Sequence, residues 1–542
     1  MTLLNYFPKD FKPRPQQTEI LKQLDKCLKD ETKYIVVQAP TGSGKSHIAA
    51  TLANSTNAPD EKFVELADSY ELYSKGASNA YKHQDIWDEI SPFGVATLTV
   101  TKSLQDQYET LFSNSQVVKG KQNYVCKVDS DYDCDIAPCT TAPHIMTKCK
   151  KLNICPFLNA RRETLKSKFG VYNYDAFFML PHFLQQKQII ICDEASELED
   201  KIVGYFSCTV GYGGKWKDLG IDILRTEDRI LAFNWLNDVA NVVKKKITEL
   251  SGQLKTKKTK RTKKSVVTKI RAFKAIHDKV VLTIQSWGKT EYIIECSKKE
   301  VTFTPLYVNL LAQDMFKRAK HVIFMSGTII DHQQFARTLG VQDYQYIEVD
   351  SDFDPKASPI LCCTKFNLNY KNLDEHLPIM VKLVEKICND EHPNEKGIIH
   401  THTFKITKTV QEGLGSSRRY LLREPGISNE LILKEHKLSE NPTVLISPSL
   451  GFGTDLFDDF GRFSIIMKTP YLPLGNKRIK ILFDKNKRWY QMKALVNLVQ
   501  MCGRTTRSKE DSSVTYILDG TAVNLIKMNS DRLPKWFLHR LR

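Results

Sequence analysis

The apolar run Tyr34-Ile35-Val36-Val37-Gln38 leads directly into Ala39-Pro40-Thr41-Gly42-Ser43-Gly44-Lys45-Ser46, and an alanine-rich stretch follows from His47 to Asn54. No other segment constrains the fold as tightly. A strand, a glycine loop and a helix in immediate succession form the unit that cradles a polyphosphate. In that unit Gly42 and Gly44 let backbone N–H groups wrap the phosphates, Lys45 reaches the β and γ phosphates, and Ser46 offers a hydroxyl to Mg²⁺. Thr41 and Ser43 complete the candidate nucleotide loop, whose first position is Ala39 where the pattern has glycine.

A second buried-type strand, Gln188-Ile189-Ile190-Ile191-Cys192-Asp193, ends in Asp193-Glu194-Ala195-Ser196. Most Asp-Glu pairs are surface acids. This one closes an apolar run downstream of the phosphate loop, where Asp193 can hold Mg²⁺ through water and Glu194 can take the proton of an attacking water. A third block is Gln500-Met501-Cys502-Gly503-Arg504-Thr505-Thr506-Arg507. Arg504 and Arg507, three apart, can share a helix face, and a guanidinium brought to a γ-phosphate stabilises transition-state charge. Gln500 is grouped with them as a candidate catalytic residue. Because this block lies in a separate α/β half, its arginines would couple hydrolysis to closure of a cleft.

At 542 residues the chain is long enough for three or four domains. Lys and Arg number 79 against 62 Asp and Glu, a net charge of +17 that favours a polyanionic partner, nucleic acid first. A run of about 18 apolar residues is absent, so no membrane span is expected. The opening Met1-Thr2-Leu3-Leu4-Asn5-Tyr6-Phe7 turns polar too soon for a signal peptide. Thirteen cysteines without such a signal point to a reducing compartment, where clustered thiols mean metal or catalysis rather than disulfides.

Further strands are expected at Val95–Val100, Val322–Met325, Gly397–His400, Thr443–Ile446, Phe463–Met467 and Val514–Leu518. Helical stretches between several of them predict parallel sheets in two α/β halves. Ser103 is the expected cap of a helix over Leu104–Phe112. From Leu198 to Pro305 the pattern is helix-like and ends in β-like pieces. Within it Lys255, Lys257, Lys258, Lys260, Arg261, Lys263 and Lys264 read first as a solvated mobile loop, and alternatively as a phosphate-backbone contact. Between the phosphate loop and the Asp-Glu strand lie Cys126, Cys134, Cys139, Cys149 and Cys155, in a polar segment from 119 to 157 that cannot bury a core unaided, so a staple is expected.

Together these blocks resemble superfamily 2 helicases, and the cysteines are similar to those of the XPD/DinG-type iron–sulfur branch. Other stretches match in order. Arg14-Pro15-Gln16-Gln17 resembles the adenine-reading Q motif, with Arg14 and Gln17 as cofactor contacts. Thr99 to Gln107 resembles the motif that touches the DNA backbone, Asn173-Tyr174 the pair that follows the cluster domain, and Ser326-Gly327-Thr328 the Ser-Ala-Thr motif. Gly453-Thr454-Asp455 resembles a motif that supplies the nucleotide contacts Gly453 and Asp455, although Phe452 replaces an acidic residue. Ala195-Ser196 stands where the family usually has Ala-His, which bears on signalling between motifs more than on hydrolysis.

The resemblance implies two RecA-like P-loop motor domains, an inserted 4Fe–4S domain and a mainly helical arch. It implies a ligand set of Cys126, Cys139, Cys149 and Cys155, with Cys134 as the alternative to Cys139. Four thiolates would equally satisfy zinc, although no Cys-x2-Cys pair occurs, and an unoccupied site is the third possibility. His144 reads as a loop residue rather than a ligand. Tyr172, Tyr174 and Phe404 are placed to stack on bases or else to fill the core.

The expected division is 1–118, 169–200 and 306–355 for the first motor domain, 119–168 for the cluster insertion, 201–305 for the arch and 356–542 for the second motor domain. The implied activity is an ATP- and Mg²⁺-dependent DNA helicase, moving 5′→3′ on single-stranded DNA, with forked or tailed duplexes and R-loops as further partners. A translocase that removes proteins or R-loops is the alternative, and a binding scaffold with a degenerate ATPase the third reading. A nuclease is disfavoured, since little chain precedes the loop. A monomer in the cytoplasm or at the nucleoid is expected.

Overall fold

The computed structural model describes residues 2–64, 91–140, 142–180, 182–254, 259–363, 366–369, 371–415, 417–422, 429–448, 456–506 and 510–542. The first half alternates strands and helices: α1 (Pro15–Lys29), β1 (Tyr34–Gln38), α2 (Lys45–Ser55), β2 (Phe93–Thr99), α3 (Lys102–Leu111) and β3 (Gln116–Val118). The cysteine segment follows, with helices α4 (Pro143–Lys151) and α5 (Pro156–Lys166), then β4 (Phe169–Asn173), β5 (Lys187–Asp193) and α6 (Leu198–Phe206). Next come β6 (Cys208–Gly211), the long helices α7 (Arg229–Gln253) and α8 (Lys260–Ser286), β7 (Tyr292–Cys296) and β8 (Glu300–Pro305). Two strands, β9 (His321–Ser326) and β10 (Tyr344–Glu348), with helix α9 (His332–Leu339) between them, complete this half.

Seven of these strands form one parallel sheet in the order β10-β1-β9-β5-β2-β4-β3. Parallel strands covered on both faces bury every side chain, which is why β1, β2, β5 and β9 read as continuous apolar runs. The order has a direct consequence. Strands β1, β9 and β5 are neighbours and run the same way, so the phosphate loop, Ser326-Gly327-Thr328 and Asp193-Glu194 all emerge at one edge.

The second half contains β11 (Ile360–Cys362), β12 (Gly397–His400), β13 (Tyr420–Leu422), β14 (Val444–Ser447) and β15 (Phe463–Ile466), then helices α10 (Lys477–Lys485) and α11 (Lys487–Cys502) and strand β16 (Val514–Ile517). Its six strands form a second parallel sheet, β11-β16-β15-β12-β14-β13. The two lobes are RecA-like, as expected. Their cores meet where Ile330, from the first half, packs among Met492, Leu495 and Leu525. Strands β6, β8 and β7 form a small antiparallel sheet under α7 and α8, sharing a core of Trp235, Leu236, Phe273 and Phe303.

Three local expectations are corrected. The helix cap is Thr101, whose Oγ1 accepts from Leu104 N at 3.3 Å, and Ser103 lies inside the first turn of α3. The second half of the lysine run is helical rather than a loop: Arg261, Lys263 and Lys264 lie in the first turns of α8, while Lys255, Lys257 and Lys258 lie outside the described residues. His144 is exposed on helix α4 rather than in a loop.

Candidate functional site

The phosphate loop has the backbone its sequence demands. Gly42 and Gly44 have φ of 80° and 75°, and Gly44 opens α2 from a left-handed cap. A Cβ on Gly44 would sit 2.2 Å from Gln17 Nε2. Arg14 and Gln17 brace this loop from α1: Arg14 Nη1 donates to Gly42 O at 2.6 Å, Gln17 Nε2 to Gly44 O at 3.2 Å, and Gln17 Oε1 accepts from Arg14 N at 2.8 Å. Lys45 and Ser46 occupy the first turn of α2, where unpaired N–H groups and the helix dipole favour anions. Lys45 Nζ reaches back to the carbonyls of Ala39 and Pro40, each at 3.4 Å. Ser43 is buried, and Thr41 lies between two glycines of other segments. A Cβ on Gly327 or Gly503 would be 3.4 or 3.6 Å from its hydroxyl.

Asp193 ends β5 with 5% exposure. Tyr108 donates to its Oδ2 at 3.2 Å, and Tyr174 to its main-chain carbonyl at 2.9 Å. Burial, with Glu194 beside it, pushes Asp193 up to about 6, while Lys45 and the Tyr108 hydroxyl act the other way. Glu194 adopts φ 50°, a left-handed conformation that costs of order 1–3 kcal/mol for a residue with a side chain. It turns the carboxylate back toward β9, where Ser326 donates to Glu194 Oε2 at 3.3 Å.

The second lobe closes this arrangement. Gln500 Nε2 donates to Ser196 Oγ and Thr328 Oγ1, both at 3.1 Å. Ser196 in turn bonds Ser326 Oγ at 3.0 Å. Arg504 is half-buried beside Glu194 and Glu197; desolvation lowers its pKa, and the two carboxylates oppose that. His400, at the end of β12, is buried beside Arg504 and held down at about 3 by desolvation and that guanidinium, so it is neutral in the working range. Lys45, Asp193, Glu194, Gln500 and Arg504 therefore converge on one interlobe cleft. Arg507, Gly453 and Asp455 lie outside the described residues.

Sequence reasoning missed several participants. Tyr108, which no periodicity marks, holds the Asp193 strand end together with Tyr174, whose motif points to another role in the sequence. Tyr172 and Tyr174, candidates for base stacking, are 0% and 1% exposed and belong to the core, Tyr172 on the doubly covered β4 and Tyr174 at the start of the short helix Tyr174–Phe178 that follows it. Phe404 remains 48% exposed. Below the cleft Glu199 is buried among Arg478, Trp489 and Lys493 of the second lobe. Burial alone would raise its pKa, but Lys493 and Arg478 outweigh that and hold it at about 2. The acid-rich continuation Glu197-Leu198-Glu199-Asp200 was the available signal.

The cysteine segment folds as a compact hairpin and two helices. Cys126 N donates to Tyr132 O and Cys134 N to Tyr124 O. Cys149 lies near the end of α4, and Cys155 caps α5. Among the described residues no three His, Cys, Asp or Glu side chains stand in a metal-holding group. The thiols are nevertheless close enough to perturb one another. Burial, with Cys155, Cys149 and Cys126, pushes Cys139 up to about 11. Cys134 is pushed up to about 12 by burial and by Cys155, its hydrogen-bond partner. Cys126, Cys134, Cys139, Cys149 and Cys155, all buried or half-buried, suit a thiophilic group in their donor chemistry. Helix α8 touches this segment: Lys264 Nζ donates to Asp131 O at 2.9 Å and lies over the Tyr132 ring, and Arg271 pairs with Asp135.

Among the described residues no helix is long and apolar enough to cross a membrane. A family model described as the res subunit of type III restriction enzymes matches residues 10–210, and one described as a helicase C-terminal domain matches 392–540. No curated protein matches by sequence. Among solved structures, one of an XPD helicase is 16% identical with a TM-score of 0.61, covering 98% of this chain and 99% of that one. An apo XPD structure is 15% identical with a TM-score of 0.55, covering 96% and 99%. An Xpd protein of S. tokodaii is 14% identical with a TM-score of 0.53, covering 95% and 98%. At such identities the structures speak to the fold, which is shared end to end. With both lobes matched in order by family models as well, the chain is a two-lobed helicase-type protein with the fold of the XPD helicase structures.

Proposed function

We propose that this protein is an ATP-dependent DNA helicase that moves 5′→3′ on single-stranded DNA. The observation that carries the reading is the cleft itself, where Gln500 and Arg504 of one lobe meet Ser196, Thr328 and Glu194 of the other beside Lys45. ATP would bind with its phosphates on Gly42–Ser46, braced by Arg14 and Gln17, with Mg²⁺ held by Ser46 and Asp193. Glu194 would accept the proton of the attacking water, while Arg504 and Arg507 would stabilise the charge that develops on the transferred phosphoryl group. Gly453 and Asp455 are assigned to the nucleotide by resemblance. Release of the phosphate after hydrolysis would remove the negative charge that holds the arginines in, so the lobes part and then close again one step along the strand.

We assign 1–118, 169–200 and 306–355 to the first motor lobe, 356–542 to the second, 119–168 to the cluster insertion and 201–305 to the arch. Cys126, Cys139, Cys149 and Cys155 would hold a 4Fe–4S cluster, with Cys134 as the alternative to Cys139, since both thiols are perturbed by Cys155 and Cys126. Bound there, the cluster would cross-link a segment too polar to build its own core. The net charge of +17 favours a polyanion. Forked and tailed duplexes, and R-loops, are the proposed substrates.

The test is Lys45→Ala assayed with 5′- and 3′-tailed duplexes. ATP turnover and strand separation should vanish while single-strand affinity stays within about threefold, because the loop lysine contacts nucleotide rather than DNA. Undiminished turnover in the variant would remove the motor assignment. Unwinding from 3′ tails alone would reverse the polarity. Protein displacement without duplex separation would favour the translocase.

A further inference from the structure

Helix α11 carries both Gln500 and the approach to Arg504, yet its two ends are held in different ways. At the N-terminal end the contacts are charged, buried and numerous. Arg488 Nε pairs with Asp331 Oδ2 at 2.5 Å, and Asp331 is 4% exposed. Asn486 Nδ2 donates to Gln334 Oε1 at 3.1 Å. Trp489 Nε1 donates to Glu199 Oε2 at 3.0 Å, and Lys493 Nζ lies 3.1 Å from the same oxygen and 3.0 Å from Asp200. From the adjoining α10, Arg478 Nη2 meets Glu199 Oε1 at 2.7 Å, and its Nε donates to Pro305 O at 3.0 Å. An apolar core of Ile293, Leu306, Leu482, Trp489 and Tyr490 seals this junction against the foot of the arch. Breaking such a pair strands a buried charge. The C-terminal half, by contrast, is packed into the core of its own lobe through Leu495, Leu498, Val499 and Cys502, and there Gln500 meets the first lobe through neutral bonds to two hydroxyls.

Trp489, Lys493 and Gln500 recur on one helix face, so the charged and neutral contacts lie along one line. We propose that Glu199 is a positioning residue for hydrolysis: with Lys493, Trp489 and Arg478 it pins one end of α11 to the first lobe, and the second lobe, into whose core α11 is packed, turns about that point to carry Gln500 and Arg504 into and out of the cleft. The geometry amplifies. Trp489 and Gln500 are about 16 Å apart along the axis, so a turn of about 5° moves Gln500 by about 1.4 Å. The same pivot rests on Ile293, Leu306 and Pro305, so the arch foot moves with the helix that reads the nucleotide.

The inference rests on the motor reading, and its test separates the two. Nucleic-acid-stimulated ATP hydrolysis is measured for Glu199→Gln, Lys493→Met and Lys493→Arg, in the native background and with Arg504→Ala. Misaiming the arginine by about 1 Å should lower kcat at least about tenfold for Glu199→Gln and Lys493→Met, with KM for ATP within about threefold. Lys493→Arg, which keeps the charge between Glu199 and Asp200, should restore kcat to within about threefold. In the Arg504→Ala background Glu199→Gln should cost clearly less than in the native one, at most about a further threefold, since only Gln500 is left to aim. Equal losses in both backgrounds, a rise in KM that accounts for the loss, or an unchanged kcat would each overturn the pivot. If Glu199→Gln does not fold, Lys493→Met carries the same comparison, because its second partner Asp200 is largely exposed. Should Lys45→Ala still turn over ATP, the motor reading fails whatever Glu199 does.

Discussion

Asp193 should be costly to the unliganded fold and indispensable to its chemistry, so Asp193→Asn should move stability and activity in opposite directions. The carboxyl is raised from 3.8 to about 6 because burial and Glu194 oppose its charge more than Lys45 and Tyr108 support it. For an acid with a raised folded pKa the penalty is absent below about pH 4, grows between about 4 and 6, and is complete above. At about 1.36 kcal/mol per unit it approaches roughly 3 kcal/mol at pH 8 and falls to about 1 kcal/mol at pH 4.5. The amide side chain of the Asp193→Asn variant would keep an acceptor for the Glu194 N–H, which now bonds Asp193 Oδ1 at 3.0 Å, without the charge. Hydrogen exchange of the β5 amides, without Mg²⁺ or nucleotide, reads the opening energy of this lobe directly. The asparagine variant should be better protected at pH 8 by an amount near that figure, with most of the gain gone at pH 4.5, while ATP turnover is lost. Weaker or equal protection at pH 8 would refute the electrostatic account of the site.

Arg504→Ala should lower kcat by about 10²–10³-fold with nucleotide affinity nearly unchanged, as expected of a group that meets developing charge; a loss confined to affinity would exclude that role. Cys155→Ser should lose iron and strand separation, whereas Cys134→Ser should keep both, as measured by metal content and visible absorption of anaerobically purified protein. Retained iron in the first variant would disqualify Cys155. Replacing Lys263 and Lys264 by alanine should reduce the salt slope of single-strand binding by about 1–2; an unchanged slope would leave Lys264 as a clamp on Asp131 alone.

The amino-acid order alone identifies what chemistry requires locally. A glycine before Lys45, an acid at the end of an apolar strand and two arginines beyond Gln500 can be read without coordinates, because each motif depends on neighbours a few residues away. The parallel strands are legible for the same reason, since burial on both faces leaves an unbroken apolar run. Tertiary structure decided everything that depends on residues distant in the chain. Tyr108 and Tyr174 brace Asp193 from two separate helices, and Thr101 displaces Ser103 as a cap by the path of the chain leaving β2. Glu199 and Lys493 are ordinary surface-type residues in the sequence, and only the approach of the two lobes desolvates them into a junction. Charge in water is weakly informative, whereas the same charge buried against a partner from the other lobe constrains how the machine can move.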